Sequence, residues 1–168
     1  QRALALSLEV VKERPTMSAG REMLAFMLQQ SDRIVEAIEQ LEILTRDPHA
    51  TDDNRVQLAL LYSETHQPKK AIALLASHAD TKNSDILNAY GVALSDDGNI
   101  PLARQQFERA LAIDPNNAPA LQNLGIVALR KDDVRAAQSY LTRALELNQR
   151  LPLALNTLGV VYARQNDF

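Results

Sequence analysis

The chain has 168 residues, 46% of them hydrophobic, enough apolar surface to build a packed core. Eighteen Lys and Arg against 21 Asp and Glu leave a net charge of −3, and the longest basic runs are Lys69-Lys70 and Arg130-Lys131, so the clustered cations of a nucleic-acid binder are missing. With no cysteine there is no disulfide, thiolate metal site or cysteine nucleophile, and no apolar run reaches the ~20 residues that insert across a membrane.

Only 4% of residues are aromatic and five are glycine, while Ala, Leu, Gln, Glu and Arg, all good helix formers, abound. The expectation is an all-α chain. The missing cysteine fits cytoplasm and periplasm alike, with the cytoplasm slightly favoured. Gln1-Arg2-Ala3-Leu4 lacks the layout of a signal peptide, and the absence of an initial Met leaves room for an upstream segment.

The chain is self-similar. Gly91, Gly125 and Gly159 are spaced 34 residues apart, and LNAYGVAL, LQNLGIVAL and LNTLGVVYA align around them without gaps. Numbering each unit from 1 to 34 gives a frame that runs the length of the sequence. Residues 1–17 read as a second helix without a first, with Ala3, Val10 and Pro15 at places 20, 27 and 32. The unit 18–51 carries Leu24, Ala25, Leu28, Ala37, Leu41 and Leu44, with Pro48 one place early. The unit 52–83 is two residues short and carries Leu58, Ala59, Tyr62, Ala71 and Leu75.

The unit 84–117 shows the local logic most clearly. Leu87, Tyr90, Val92 and Leu94 predict a first helix, which Asp96-Asp97-Gly98-Asn99 ends, Gly98 being free to take the left-handed conformation. Pro101 suits the start of a second helix, where a missing N–H costs little, and Ala103, Phe107, Ala110 and Leu111 form its apolar stripe. Asp114-Pro115-Asn116-Asn117 closes the unit. Gly91 and Ala103 are expected to face each other, with Phe107 filling the space beside them. The unit 118–151 repeats this with Leu121, Leu124, Gly125, Ala137, Leu141 and Ala144, but has Gln149 at the proline place; 152–168 reads as a first helix ending at Phe168.

Leu at place 4, Gly at 8, Ala at 20, a large residue at 24, Ala at 27 and Pro at 32 make the sequence resemble the tetratricopeptide repeat family along its whole length. The resemblance implies one solenoid domain over 1–168, a right-handed superhelical α-solenoid of antiparallel helix pairs. A single hairpin cannot bury both its apolar faces, so each unit leans on its neighbours. The glycines lie mid-helix without a G-x-G-x-x-G grouping and read as packing residues.

The resemblance further implies that first helices line a concave groove, with places 2, 5, 9, 12 and 13 pointing into it. Place 9 is apolar in every first helix: Phe26, Leu60, Val92, Ile126 and Val160. Place 5 holds Glu22, Val56, Asn88, Gln122 and Asn156, and place 13 ends in Arg130 and Arg164. An aliphatic ridge beside a short amide ladder suits an extended or helical guest whose backbone the amides bind. That place 9 packs on the neighbouring first helix while the amides face water is the open alternative. Place 5 has no basic residue, which departs from the carboxylate-clamping members of the family. Glu22, Asp53, Glu64, Asp85 and Asp96 precede Arg130 and Arg164, a polarity that would orient a bipolar guest.

No catalytic, cofactor or metal site emerges. His49, His66 and His78 fall on predicted turns or a helix end, and Asp52-Asp53, Asp96-Asp97 and Asp132-Asp133 read as helix caps. The expected partner is a protein or peptide segment. Two further readings stay open: a non-catalytic repeat region of a larger enzyme, sulfatase-like or transferase-like and bacterial, and head-to-tail self-association through 1–17 and 152–168, whose frames join because Phe168 is place 17 and Gln1 place 18.

Overall fold

The structure is a computed structural model that describes every residue except Gln1, Pro15, His49, Ala79, Asp167 and Phe168, and the side chain of Asn166. The readings of Pro15 and His49, and of Gln1 and Phe168 as joining ends, lie outside the described residues. Among the described residues there are ten α-helices and no strand. They form two compact units, Gln1–Leu75 and Ala76–Phe168.

The first unit contains α1 (Arg2–Glu13), α2 (Ser18–Gln30), α3 (Ile34–Thr45), α4 (Asp52–Glu64) and most of α5 (Pro68–Ala76). Leu24, Ala25 and Leu28 of α2 are buried, as are Ala37, Leu41 and Leu44 of α3 and Leu58 and Ala59 of α4. Leu24 and Leu28, and likewise Ala37, Leu41 and Leu44, recur at the three-to-four-residue spacing that puts side chains on one helix face. Ala25 and Ala59 occupy the place that glycine takes later in the chain. Helix α4 starts on a capping box: Asn54 N–H donates to Thr51 Oγ1 and Thr51 N–H to Asn54 Oδ1, both at 3.2 Å. Helix α5 has only nine residues, as befits the shortened unit.

The second unit contains α6 (Ser84–Asp96), α7 (Ile100–Ile113), α8 (Ala118–Arg130), α9 (Val134–Leu147) and α10 (Pro152–Asn166). Leu87, Ala110 and Ala120 form one buried cluster, and Ala137, Leu141, Ala154 and Val161 another. Phe107 is buried against the helix that carries Gly91: a Cβ built on Gly91 would sit 2.5 Å from the Phe107 ring. Burying such a ring is worth roughly 1.5–3 kcal/mol, which only a glycine opposite it permits. Gly125 is pressed in the same way by Leu141 Cγ at 2.6 Å and by the Ala137 carbonyl oxygen at 3.4 Å, whereas a Cβ on Gly159 would meet nothing within 4 Å. The large residue at place 24 therefore lies directly over the glycine, and at Gly125 the place-20 alanine, Ala137, approaches as well.

Four hairpin turns share one backbone device. Asp32, His66, Gly98 and Asp132, all at place 15, have φ of 58°, 58°, 87° and 60°. In each the next residue donates its N–H five residues back: Arg33 to Leu28 O, Gln67 to Tyr62 O, Asn99 to Leu94 O and Asp133 to Ala128 O, at 2.7–3.0 Å. These are Schellman closures, which satisfy carbonyls that the helix end would otherwise leave open. The same donor residue can then cap the second helix, as Asn99 does for Leu102 N–H and Asp133 for Ala136 N–H.

The acidic pairs divide between roles. Asp133 is an N-cap, Asp52 and Asp53 sit in the first turn of α4 behind the Thr51 cap, and Asp96-Asp97 lie at the C-terminal end of α6. Only the first two placements gain from the helix dipole.

Candidate functional site

The residues that the sequence reading assigns to a groove lie on α2 and α4 in the first unit and on α6, α8 and α10 in the second, and the face they share in each unit is called its wall. In the first unit Phe26 on α2 and Leu60 on α4 are 48% and 40% exposed. In the second, Val92 on α6 and Ile126 on α8 are half-buried and Val160 on α10 is 47% exposed. A single exposed apolar residue is ordinary; recurrence at one place of successive helices makes a surface.

Two adjoining hollows mark the second unit's wall, and Ile126 and Arg130 line both. One is bounded by Val92, Asp96, Asn123 and Leu153, the other by Leu129, Asn156, Thr157, Val160 and Arg164. Val92, Ile126, Arg130, Asn156, Val160 and Arg164 thus meet on one surface. Gln122 is half-buried and lines neither.

The amide ladder is partly spent inside the fold. Asn88 is 9% exposed, and its Oδ1 accepts from Asn123 Nδ2 at 2.9 Å. Asn156 is exposed. Two of the acidic groove positions are tied in the same manner: Glu22 Oε1 accepts from Asn54 Nδ2 at 3.0 Å, and Asp85 Oδ1 from Asn117 Nδ2 at 2.9 Å. Both ties join residues 32 positions apart. Asn117 is buried and also caps α8 through Ala120 N–H, so one side chain sets both the start of a helix and its seat on the preceding repeat. Each such bond contributes about 1 kcal/mol and costs more than that to leave half-made.

Charge on the wall is held in place in part. Arg164 Nη1 donates to Asp132 Oδ1 at 2.9 Å and to the Leu129 carbonyl at 3.4 Å, while both Arg164 and Arg130 remain exposed. In the first unit, Tyr62 donates its hydroxyl to Glu42 Oε1 at 2.7 Å and Lys70 Nζ lies 5.2 Å from the centre of its ring. Burial first, and then the Glu42 carboxylate, push the Tyr62 phenol well above its ordinary range. His66 occupies a turn and His78 bonds Ser77 Oγ at 3.0 Å. Among the described residues no group of three His, Asp or Glu is placed to hold a metal ion, and no helix is long and apolar enough to cross a membrane.

Two family models, both described as tetratricopeptide repeat, match residues 56–118 and 94–159. No curated protein matches the chain. Among solved structures, it is similar to a chain of the APC/C hetero-tetramer Cut9-Hcn1, with a TM-score of 0.84 and 20% identity, covering 99% of this chain and 33% of that one. The present chain thus spans about a third of that relative. It is also similar to TTC0263, a thermophilic TPR protein in Thermus thermophilus, with a TM-score of 0.78, 16% identity and coverage of 95% and 89%. A third relative is YrrB, a TPR protein with an unusual peptide-binding site, with a TM-score of 0.65, 22% identity and coverage of 92% and 81%. At these identities the likeness concerns the fold.

Proposed function

Because the chain belongs to the tetratricopeptide repeat family, an all-α fold of stacked helix pairs, we propose that it holds a protein or peptide segment on the wall made by its first helices. Repeats of this family are generally non-catalytic interaction modules. The observation that carries the reading is the sharing of Ile126 and Arg130 between two hollows, which makes Val92, Ile126, Asn156 and Val160 one continuous apolar and amide-bearing surface with cations at its margin. Such a surface removes apolar side chains of a guest from water while Asn156 and the guanidiniums bond its backbone or carboxylates. YrrB, with its peptide-binding site, supports the reading by analogy of fold.

The test is a comparative pull-down with the wild-type chain and a wall variant, Arg130→Glu/Asn156→Ala/Val160→Ser, whose substituted side chains are all exposed and so leave the core intact. With equal helicity by circular dichroism, partners recovered by the wild type are expected to be lost from the variant. Recovery of the same partners by both would contradict the reading.

A second reading, self-association, draws support from α10, where Gly159 is uncovered and Leu155 and Tyr162 are half-exposed. A helix laid there by another copy would bury them in a heterologous contact that propagates. Sedimentation showing a monomer at every concentration would remove this reading.

A further inference from the structure

The first unit has a hollow of its own, and its chemistry differs from that of the second. It lies between α2 and α4, lined by Glu22, Met23, Phe26, Asp53, Asn54 and Gln57 among others. The only charged side chains among its lining residues are the two carboxylates, Glu22 and Asp53. The nearby cations on the same helices are engaged elsewhere: Arg21 Nη1 donates to Gln40 Oε1 at 2.9 Å, and Arg55 Nη1 to the Ala50 carbonyl at 2.6 Å and to Asp52 Oδ1 at 3.4 Å. The Asn54 amide that holds Glu22 Oε1 fixes that carboxylate before any guest arrives.

Beside the carboxylates stand Met23 and Phe26, 54% and 48% exposed. An aromatic face and a thioether next to unneutralised negative charge match a side chain that is apolar along its stem and cationic and planar at its head. Arginine has that form: its methylenes cover apolar surface, its guanidinium stacks on aromatic faces, and its fork of N–H donors matches carboxylate oxygens.

We propose that the hollow between α2 and α4 receives an arginine-bearing peptide segment, with the guanidinium at Glu22 and Asp53 and its stem, with a flanking aliphatic residue, on Met23 and Phe26. The inference rests on the reading that first-helix walls hold polypeptide, and it assigns to the first unit a guest of opposite charge to the one that Arg130 and Arg164 would favour.

The test is a titration of the isotope-labelled chain with the capped peptide Gly-Leu-Arg-Leu-Gly, followed by backbone amide shifts. Two control peptides replace Arg by Lys or by Glu. The expected result is saturable shifts confined to α2 and α4 with the Arg peptide, weaker binding of the Lys peptide and none of the Glu peptide. Two variants keep the answer independent of folding. Glu22→Gln/Asp53→Asn retains the Oε1 acceptor for Asn54, and Phe26→Ala removes a side chain that is not part of the core. Each is expected to weaken the Arg peptide by at least about threefold, the order of an exposed ion pair or cation–aromatic contact. Shifts elsewhere, equal binding of the Lys or Glu peptide, or unchanged affinity in both variants would overturn the proposal. A pull-down that stays dependent on Arg130, Asn156 and Val160 while the Arg peptide fails would show that the inference alone is wrong.

Discussion

Asn123 on α8 donates its amide to Asn88 on α6 at 2.9 Å, so a residue placed by sequence in the binding ladder is a joint between two repeats. Asn88→Ala would leave a part-buried donor with no acceptor. It is expected to cost about 1–2 kcal/mol, whereas Asn156→Ala, at an exposed site, is expected to stay within about 0.5 kcal/mol. Chemical denaturation of the two variants checks the contrast. The order reverses for partner binding, where Asn156 carries the larger effect.

The glycines of the repeat are not equivalent. Gly91→Ala drives a methyl to 2.5 Å from the Phe107 ring and is expected to cost about 1–3 kcal/mol by overpacking. Gly159→Ala meets nothing, and the gain in helix propensity, up to about 1 kcal/mol, is expected to appear as a raised melting temperature. Thermal unfolding of both chains separates a packing role from a bystander.

The left-handed turns give a second contrast. Gly98→Ala forces a Cβ into φ 87° and is expected to destabilise the chain by about 1–2 kcal/mol. His66→Asn, at φ 58°, puts a residue that tolerates this conformation where a bulkier one now sits, with an expected gain of a few tenths of a kcal/mol. Paired denaturation curves measure both.

Tyr62 gives the fold a pH dependence on the alkaline side. Its phenol is held protonated in the folded state by burial and by Glu42, while in the unfolded chain it ionises near its ordinary value of about 10. Its contribution is thus fully present below about pH 10 and is lost as pH rises beyond that. Tyr62→Phe is expected to cost about 0.5–1.5 kcal/mol at pH 7 and to reduce the slope of stability against pH above 10. An unchanged slope in the variant would show that other groups set it.

The fold class was readable because a 34-residue period repeats the same few packing choices, and Gly91, Ala103 and Phe107 are each forced by how closely two helices approach. The shared turn was half-visible: Gly98 announced a left-handed residue, but Asp32, His66 and Asp132 at the same place did not, because the Schellman bonds there are made by backbone and tolerate other side chains. The resemblance supplied the groove places, and of the residues it named in the second unit Val92, Ile126, Arg130, Asn156, Val160 and Arg164 line two adjoining hollows while Gln122 lines neither. Which groove residues were already spent was not legible. Asn54, Asn117 and Asn123 bond to residues on helices more than 30 positions earlier, and a single-helix reading has no means of pairing them with Glu22, Asp85 and Asn88.

The most direct test of the binding wall places a photo-crosslinking amino acid at Val160, exposed on α10, and separately at Ser139, exposed on α9. The account predicts partner crosslinks from position 160 and none above background from position 139. Crosslinking from 139 with silence at 160 would move the interaction to the second helices and contradict it.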